Sequence, residues 1–285
     1  MKRPVLFKAA IVVMATLTAC GKQPSITRLD GTTITPGEID ARVVRLMKAA
    51  EVPGLGIAVL NDGKIVCLKA YGVRDKERNL PLTVDSAMYA ASFSKSVFAY
   101  MVMQLVDKGS LDLDKPVYQY LPKPLPEYPS YNDLANDSRI NQITARMLLS
   151  HTSGLPNWRL LEDDRKLHIH FAPGSRYAYS GEGIVLLQLI VENITKKPLE
   201  ELMQQLVFQP LGMTRTSMVW QDRFEADFAN EYDEYGRSLG ADRRTKADAA
   251  GSMQTTIADF ARFTQAVLNG KGLSKKNREE MLGPQ

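Results

Sequence analysis

The chain has 285 residues, 44% of them hydrophobic and 24% charged, the make-up of an ordinary globular protein with enough material for one large domain or two modest ones. Its net charge is +4, but Lys2, Arg3 and Lys8 lie in a segment expected to be removed. Without them 33 Lys and Arg face 32 Asp and Glu, a balance of about +1 that excludes nucleic acid as a partner.

Met1 to Lys8 is short and positive, and Ala9 to Thr18 is an apolar run of ten residues. A helix that crosses a bilayer needs roughly 20, so this run has the proportions of a signal-peptide core. Leu17-Thr18-Ala19-Cys20-Gly21 follows and resembles a bacterial lipobox, in which the cysteine is lipidated and begins the mature protein. The alternative is a plain cleavable signal with an incidental Cys20. Residues 1–19 are therefore expected to be a signal peptide, 20–35 a polar lipid-anchored linker and 36–285 the domain. A lipidated Cys20 leaves Cys67 alone in a strand-like apolar run, where a small buried residue is the simpler reading than a nucleophile.

Thr35-Pro36-Gly37-Glu38 is a capping box with proline at the first helical position, and Ile39, Val43, Leu46 and Met47 continue at helical spacing to about residue 51. Two apolar runs, 53–60 and 64–73, flank Asn61-Asp62-Gly63 and predict a hairpin. A second helix starts near Ser92 and runs to Lys108, with Gly109 just past its end. Further helices are expected at 143–150, 183–195, 198–207 and 257–269, the last opened by Thr256 and Asp259. Residues 122–140 and 156–176 read as extended loops, and nothing helical is expected after 269. Two strands cannot cover these helices, so the arrangement is α+β with an incomplete sheet.

Ser92-Phe93-Ser94-Lys95 puts a hydroxyl and an amine three residues apart on a helix, one above the other. A serine needs a neighbouring base to act as a nucleophile. Lys95, Phe98 and Val102 share one stripe, which turns the lysine inward. The helix start also aims backbone N–H groups at developing negative charge. The plain alternative is a capping serine with a surface lysine. His151, in His151-Thr152-Ser153-Gly154-Leu155-Pro156, sits at a helix C-terminus either as a structural cation or as a catalytic base. Pro173 to Gly183 is a turn-rich loop that opens onto a helix, and a tyrosine there can act as acid or base beside positive neighbours. His168 and His170 have the spacing of a metal pair, but no third His, Asp or Cys is read as completing a site, so no metal or cofactor is expected.

Ser92-x-x-Lys95, the His-Thr-Ser-Gly-Leu-Pro turn, Pro173-Gly174 followed by Tyr179-Ser180, and Pro210-Leu211-Gly212-Met213 occur in the order of the serine β-lactamase-like family. The chain resembles that family, which includes class C β-lactamases, D-alanyl-D-alanine carboxypeptidases and esterases, over roughly residues 36–285. The resemblance implies an antiparallel sheet packed with helices plus a large helical region. It also implies Ser92 as nucleophile, Lys95 as its partner, Tyr179 as the tyrosine of the Tyr-x-Asn motif and a mainly structural His151. Gly181 stands where the family usually has the Asn that binds the substrate's amide. A hydrogen bond worth about 1 kcal/mol is then absent, and esters should be preferred to cephalosporins. The family's third motif lies on a strand beyond the last helix. The sequence stops at Gln285 before any such strand, so the C-terminal strands are expected to be missing and the chain to be weakly stable and weakly active.

Two functions follow from this reading. One is a serine hydrolase acting on a β-lactam, a D-Ala-D-Ala or other peptidoglycan-derived peptide, or a small ester. The other is a non-catalytic envelope lipoprotein that binds peptidoglycan or a partner through the same pocket. In either case the membrane is met through the Cys20 anchor, with the outer membrane favoured and the domain facing the periplasm. Cys20→Ala should release the protein or leave it unprocessed, as read by cell fractionation and intact mass; an unchanged mass and distribution would refute the anchor.

Overall fold

Residues 25–284 are described by a computed structural model. Signal peptide and Cys20 lie outside these residues. The chain divides into two units, 1–43 and 44–285. In the first, the stretch read as a featureless tether contains a small hairpin, β1 (Ile26–Thr27) paired antiparallel with β2 (Thr33–Ile34). The reason is local: Asp30 Oδ1 accepts from the Thr32 N–H at 2.9 Å, and Gly31 takes the positive φ (79°) the turn needs. Helix α1 (Pro36–Ala49) then starts at the expected capping box, with Thr35 N–H donating to Glu38 Oε2 at 2.7 Å and Glu38 N–H donating to Thr35 Oγ1 at 3.2 Å.

The second unit opens with β3 (Gly54–Asn61) and β4 (Lys64–Asp75), antiparallel from Gly54↔Gly72 to Asn61↔Lys64 with one bulge at Val59/Leu60. Asp62 and Gly63 both have positive φ (49° and 69°), the geometry that suits a two-residue hairpin turn. Cys67, on β4, is buried and unpaired, as a small apolar residue would be. Strand β5 (Leu80–Pro81) extends this sheet, and β6 (Met88–Tyr89) leads into α2 (Phe93–Asp107). A run of 3₁₀ turns between 117 and 142 fills the first expected loop and precedes α3 (Ala145–Leu149). Next come α4 (Gly181–Thr195), α5 (Leu199–Met203) with a π-turn after it, and the short α6 (Gln209–Leu211). A small pair, β7 (Glu231–Tyr232) and β8 (Ser238–Gly240), precedes β9 (Gln254–Thr255) and α7 (Ile257–Leu268).

Contrary to the sequence expectation, a further helix follows, α8 (Lys275–Leu282). It carries no apolar stripe to betray it. Polar bonds hold it instead: Ser274 caps it, Asp107 accepts from the Ser274 N–H and from Asn277 Nδ2, and Arg146 reaches Glu280.

Helices α2 and α4 are the core. Val97, Phe98, Met101 and Val102 of α2, with Leu186, Leu187, Ile190 and Val191 of α4, are all fully buried. Helices apolar on most sides belong inside a protein, and the loops, α3 and the 3₁₀ turns wrap them. Helix α7 packs on the sheet: Ile257 sits so close over Gly56 that an added Cβ would meet it at 3.0 Å, and Gln265 and Asn269 both donate to the Gly63 carbonyl. Among the described residues no helix is long and apolar enough to cross a membrane.

Phe98→Ala should open a cavity in the α2 core and destabilise the protein by about 3–5 kcal/mol. Chemical denaturation reads this directly, and a loss below about 1 kcal/mol would contradict the central placement of α2.

Candidate active site

The site is built on the entry to α2. Ser92 stands at the N-cap in helical geometry (φ −69°, ψ −7°), yet its hydroxyl caps nothing. This disposes of the capping-serine alternative: the side chain is free for another task and is exposed to solvent. Ala91, just before it, holds a positive φ of 43°, a conformation that costs an L-residue roughly 1–2 kcal/mol. The backbone is driven into this turn by what surrounds it. Strand β6 pairs with β9 through Tyr89↔Gln254, Ala90 N–H donates to the Met253 carbonyl at 2.8 Å, and Met253 N–H donates to Ser94 Oγ at 3.0 Å. Ser94, two residues from Ser92, is fully buried in this latch and donates to the Ala91 carbonyl.

Lys95 lies on the buried face, as the stripe with Phe98 and Val102 requires. Its Nζ donates to Ser92 Oγ at 3.0 Å and to the Ala250 carbonyl. The amine also sits 4.9 Å from the Tyr179 ring centroid and 6.0 Å from that of Trp158. Burial pushes the Tyr179 phenol up, but hydrogen bonds to Lys95 and Ser92 and the Lys95 charge outweigh it, so its pKa falls below the ordinary value of about 10. Ser92 and Lys95, one helical turn apart, thus meet Tyr179 from a distant part of the chain at one point.

His151 belongs to this cluster in a supporting position. Its Nδ1 accepts the Ser180 N–H at 3.1 Å, its carbonyl accepts the Ala178 N–H at 2.8 Å, and its ring lies 4.6 Å from that of Tyr179. It therefore grips the residues on both sides of Tyr179. The residue is in the left-handed region (φ 57°), which the tight turn before Gly154 imposes. Burial, and then the Lys95 charge, lower its pKa. Ser153 is buried, with its Oγ accepting the Leu155 N–H.

Gly181 is buried rather than presented to a ligand. Its N–H donates to the carbonyl and side chain of Asn157, and a Cβ on it would lie 2.7 Å from Cζ2 and Cη2 of Trp158 and 2.8 Å from the Asn157 carbonyl. The indole covers the place from which a side chain at 181 would reach out. Sequence reasoning singled out Gly181 but missed Trp158, which nothing in the local pattern distinguishes from a core aromatic. It also missed Arg159 and Glu182, whose guanidinium and carboxylate bond at 2.7 and 2.9 Å, and the Ala250 carbonyl.

His168 and His170 lie outside this cluster. The first faces Asp164 at 3.0 Å and the second Glu162 at 3.1 Å. The sequence reading overlooked these carboxylates: each imidazole has one beside it. Among the described residues no group of three or more His, Cys, Asp or Glu side chains is placed to hold a metal.

The His151 geometry has a pH signature. A histidine whose folded pKa lies below its unfolded value of about 6.5 adds stability above pH 6.5, and that stability is lost as pH falls through the lowered folded value. Wild-type melting temperature should therefore drop on acidification below 6.5. His151→Asn, which keeps a residue tolerant of the left-handed backbone, should cost about 1 kcal/mol near pH 7 and less at pH 5. An equal gap between the two proteins at both pH values would refute the neutral, hydrogen-bonded imidazole.

Residues 39–285 match the family model described as Beta-lactamase. Esterase EstB of Burkholderia gladioli is 31% identical over 223 residues, covering 69% of this chain and 55% of EstB. The D-alanyl-D-alanine-carboxypeptidase/endopeptidase AmpH of Escherichia coli (strain K12) is 25% identical over 99% of this chain and 74% of its own length. Among solved structures, D-alanine carboxypeptidase AmpC from Burkholderia cenocepacia superposes with a TM-score of 0.70 at 26% identity, over 85% of this chain and 67% of that one. The octameric penicillin-binding protein homologue from Pyrococcus abyssi gives 0.70 and 26%, over 87% and 60%. The chain spans 55% of EstB and 41% of protein flp of Staphylococcus aureus, about half the length of these curated relatives. With the family match running from α1 through α8, and the fold shared with penicillin-binding and AmpC structures, the chain belongs to the β-lactamase family.

Proposed function

We propose that the protein is a serine hydrolase that works through an acyl-enzyme on Ser92, with a β-lactam, a D-Ala-D-Ala peptide or a small ester as substrate. The observation that carries this reading is the 3.0 Å hydrogen bond between the buried Lys95 amine and a Ser92 hydroxyl that caps nothing. The names of EstB, an esterase, and AmpH, a carboxypeptidase, support the substrate range.

Ser92 Oγ attacks the substrate carbonyl carbon, and its proton passes to the Lys95–Tyr179 pair. The Lys95 amine lies over the Tyr179 ring and on the Ser92 hydroxyl, so the pair, rather than either member, is assigned as the base. The negative oxygen that forms meets the Ser92 N–H, which has no backbone acceptor among the described residues and lies at the start of a 15-residue helix. Tyr179 returns the proton to the departing oxygen or nitrogen. It then takes one from the water that attacks the acyl carbon, and Ser92 leaves with its proton restored. His151 takes no proton in this scheme; it holds Tyr179 in place.

The proposal extends to the cell envelope. Cys20, behind the ten-residue apolar run, tethers the domain to the membrane by its lipid, with the outer membrane favoured.

A fluorophosphonate and a fluorescent penicillin test the chemistry. Covalent labelling should disappear in Ser92→Ala, and acylation should slow by about 10² or more in Lys95→Ala and in Tyr179→Phe. An absence of any covalent adduct would favour a binding protein, and an adduct mapped to Ser94 or Ser153 by mass spectrometry would overturn the nucleophile.

A further inference from the structure

We propose that Trp158, seated on Gly181, is the specificity-determining wall of the site and fits it to esters with extended apolar acyl groups rather than to acylamino substrates. This inference rests on the acyl-enzyme reading above and names the substrate class of that site.

Three observations carry it. The first is a steric coupling. Any side chain at position 181 would begin 2.7 Å from two carbons of the indole and 2.8 Å from the Asn157 carbonyl, so Trp158 in this place demands glycine below it. No side chain reaches out from position 181, and an aromatic surface occupies that space instead.

The second is location. The indole centroid is 6.0 Å from Lys95 Nζ, which is 3.0 Å from Ser92 Oγ. Ser92 Oγ therefore lies no more than about 9 Å from the indole centroid, a span that an extended acyl chain on Ser92 can cover. Trp158 is only half-buried: one part packs on the core while the rest stays open. Leu160 and Leu161, which follow it, are each 73% exposed, and Phe93, next to the nucleophile, is 62% exposed. Phe93 beside the nucleophile and the two leucines that continue from Trp158 thus leave apolar surface in water, and an apolar substrate that covers such surface gains from its burial.

The third is rigidity. The backbone on both sides of the indole is stapled to the first turn of α4. The Asn157 carbonyl accepts from the N–H groups of Gly181 and Glu182, both at 3.0 Å. On the other side the Arg159 N–H and guanidinium donate to the buried Glu182 carboxylate, and Arg159 Nη1 donates to the Ser130 carbonyl at 2.6 Å. A wall that discriminates must not give way, and these bonds make Arg159 and Glu182 its positioning residues.

The test compares p-nitrophenyl acetate, butyrate and hexanoate with nitrocefin, a cephalosporin with an acylamino side chain, on the full chain. The proteins are wild type, Trp158→Ala, Trp158→Phe and the double variant Trp158→Ala/Gly181→Asn, each checked for an unchanged melting profile. Wild-type kcat/KM should rise from acetate to hexanoate. Trp158→Ala should lose about tenfold or more on hexanoate relative to acetate, the scale on which an apolar pocket discriminates added methylenes. Trp158→Phe, a smaller ring in the same place, should shift the profile part of the way toward acetate. The double variant, with the indole clash removed and only the Asn157 carbonyl left close to position 181, should gain on nitrocefin relative to hexanoate. If Ser92-dependent ester turnover is present but its chain-length profile is the same in wild type and Trp158→Ala, the wall is refuted and the hydrolase stands. If Ser92 takes no label and no ester is turned over, both fall. A Trp158→Ala protein that unfolds leaves Trp158→Phe decisive: a profile shifted toward acetate supports the wall, and one with uniformly lower rates on all three esters overturns it.

Discussion

Everything in the site depends on the seat of one buried amine. Lys95 Nζ lies between the Ser92 hydroxyl and the Ala250 carbonyl, with the rings of Tyr179 and Trp158 facing it. A buried cationic side chain is costly unless polar partners surround it, and among the described residues no carboxylate pairs with this one. A hydroxyl, a carbonyl and two aromatic faces take the carboxylate's place. That choice has a geometric consequence: with no carboxylate to hold it, the amine is directed at the Ser92 hydroxyl.

The same seat explains why distant parts of the chain must converge. The Ala250 carbonyl is presented by the turn that precedes β9, and β9 pairs with the strand that feeds Ser92 into α2. The turn that carries His151 takes the N–H of Ser180 and so fixes Tyr179. The Asn157–Arg159 segment grips the first turn of α4 and lowers the indole onto Gly181. Each of these is a polar contact between loops anchored by helices of the apolar core, so the rigidity of the core is passed to the reacting groups. The positive φ values at Ala91 and His151 are strain that this network sustains.

Where local rules sufficed, reading and structure agree. The capping box at Thr35–Glu38, the Asp62-Gly63 hairpin, the cap at Thr256 and the burial of Lys95 on the Phe98–Val102 stripe all involve residues close in sequence. Where the stabilising partner was remote, they part. Helix α8 is polar and held by Asp107 and Arg146, so no periodicity announces it. The β1–β2 and β7–β8 pairs are too short to show an alternation. The carboxylates beside His168 and His170 were overlooked although they lie within eight residues, because pairs across an irregular loop obey no fixed spacing.

The sequence by itself determined the elements and their chemistry: an α+β chain, a serine and a lysine one helical turn apart, a tyrosine in a turn-rich loop and a glycine where a side chain was expected. It did so because spacing along a helix or a hairpin converts directly into distance. Only the tertiary structure decided that Ser92 caps nothing, that His151 supports Tyr179, and that Gly181 is empty because Trp158 fills the space above it. The last two rest on residues more than twenty positions apart in sequence brought into contact by packing, and no local propensity encodes such a contact.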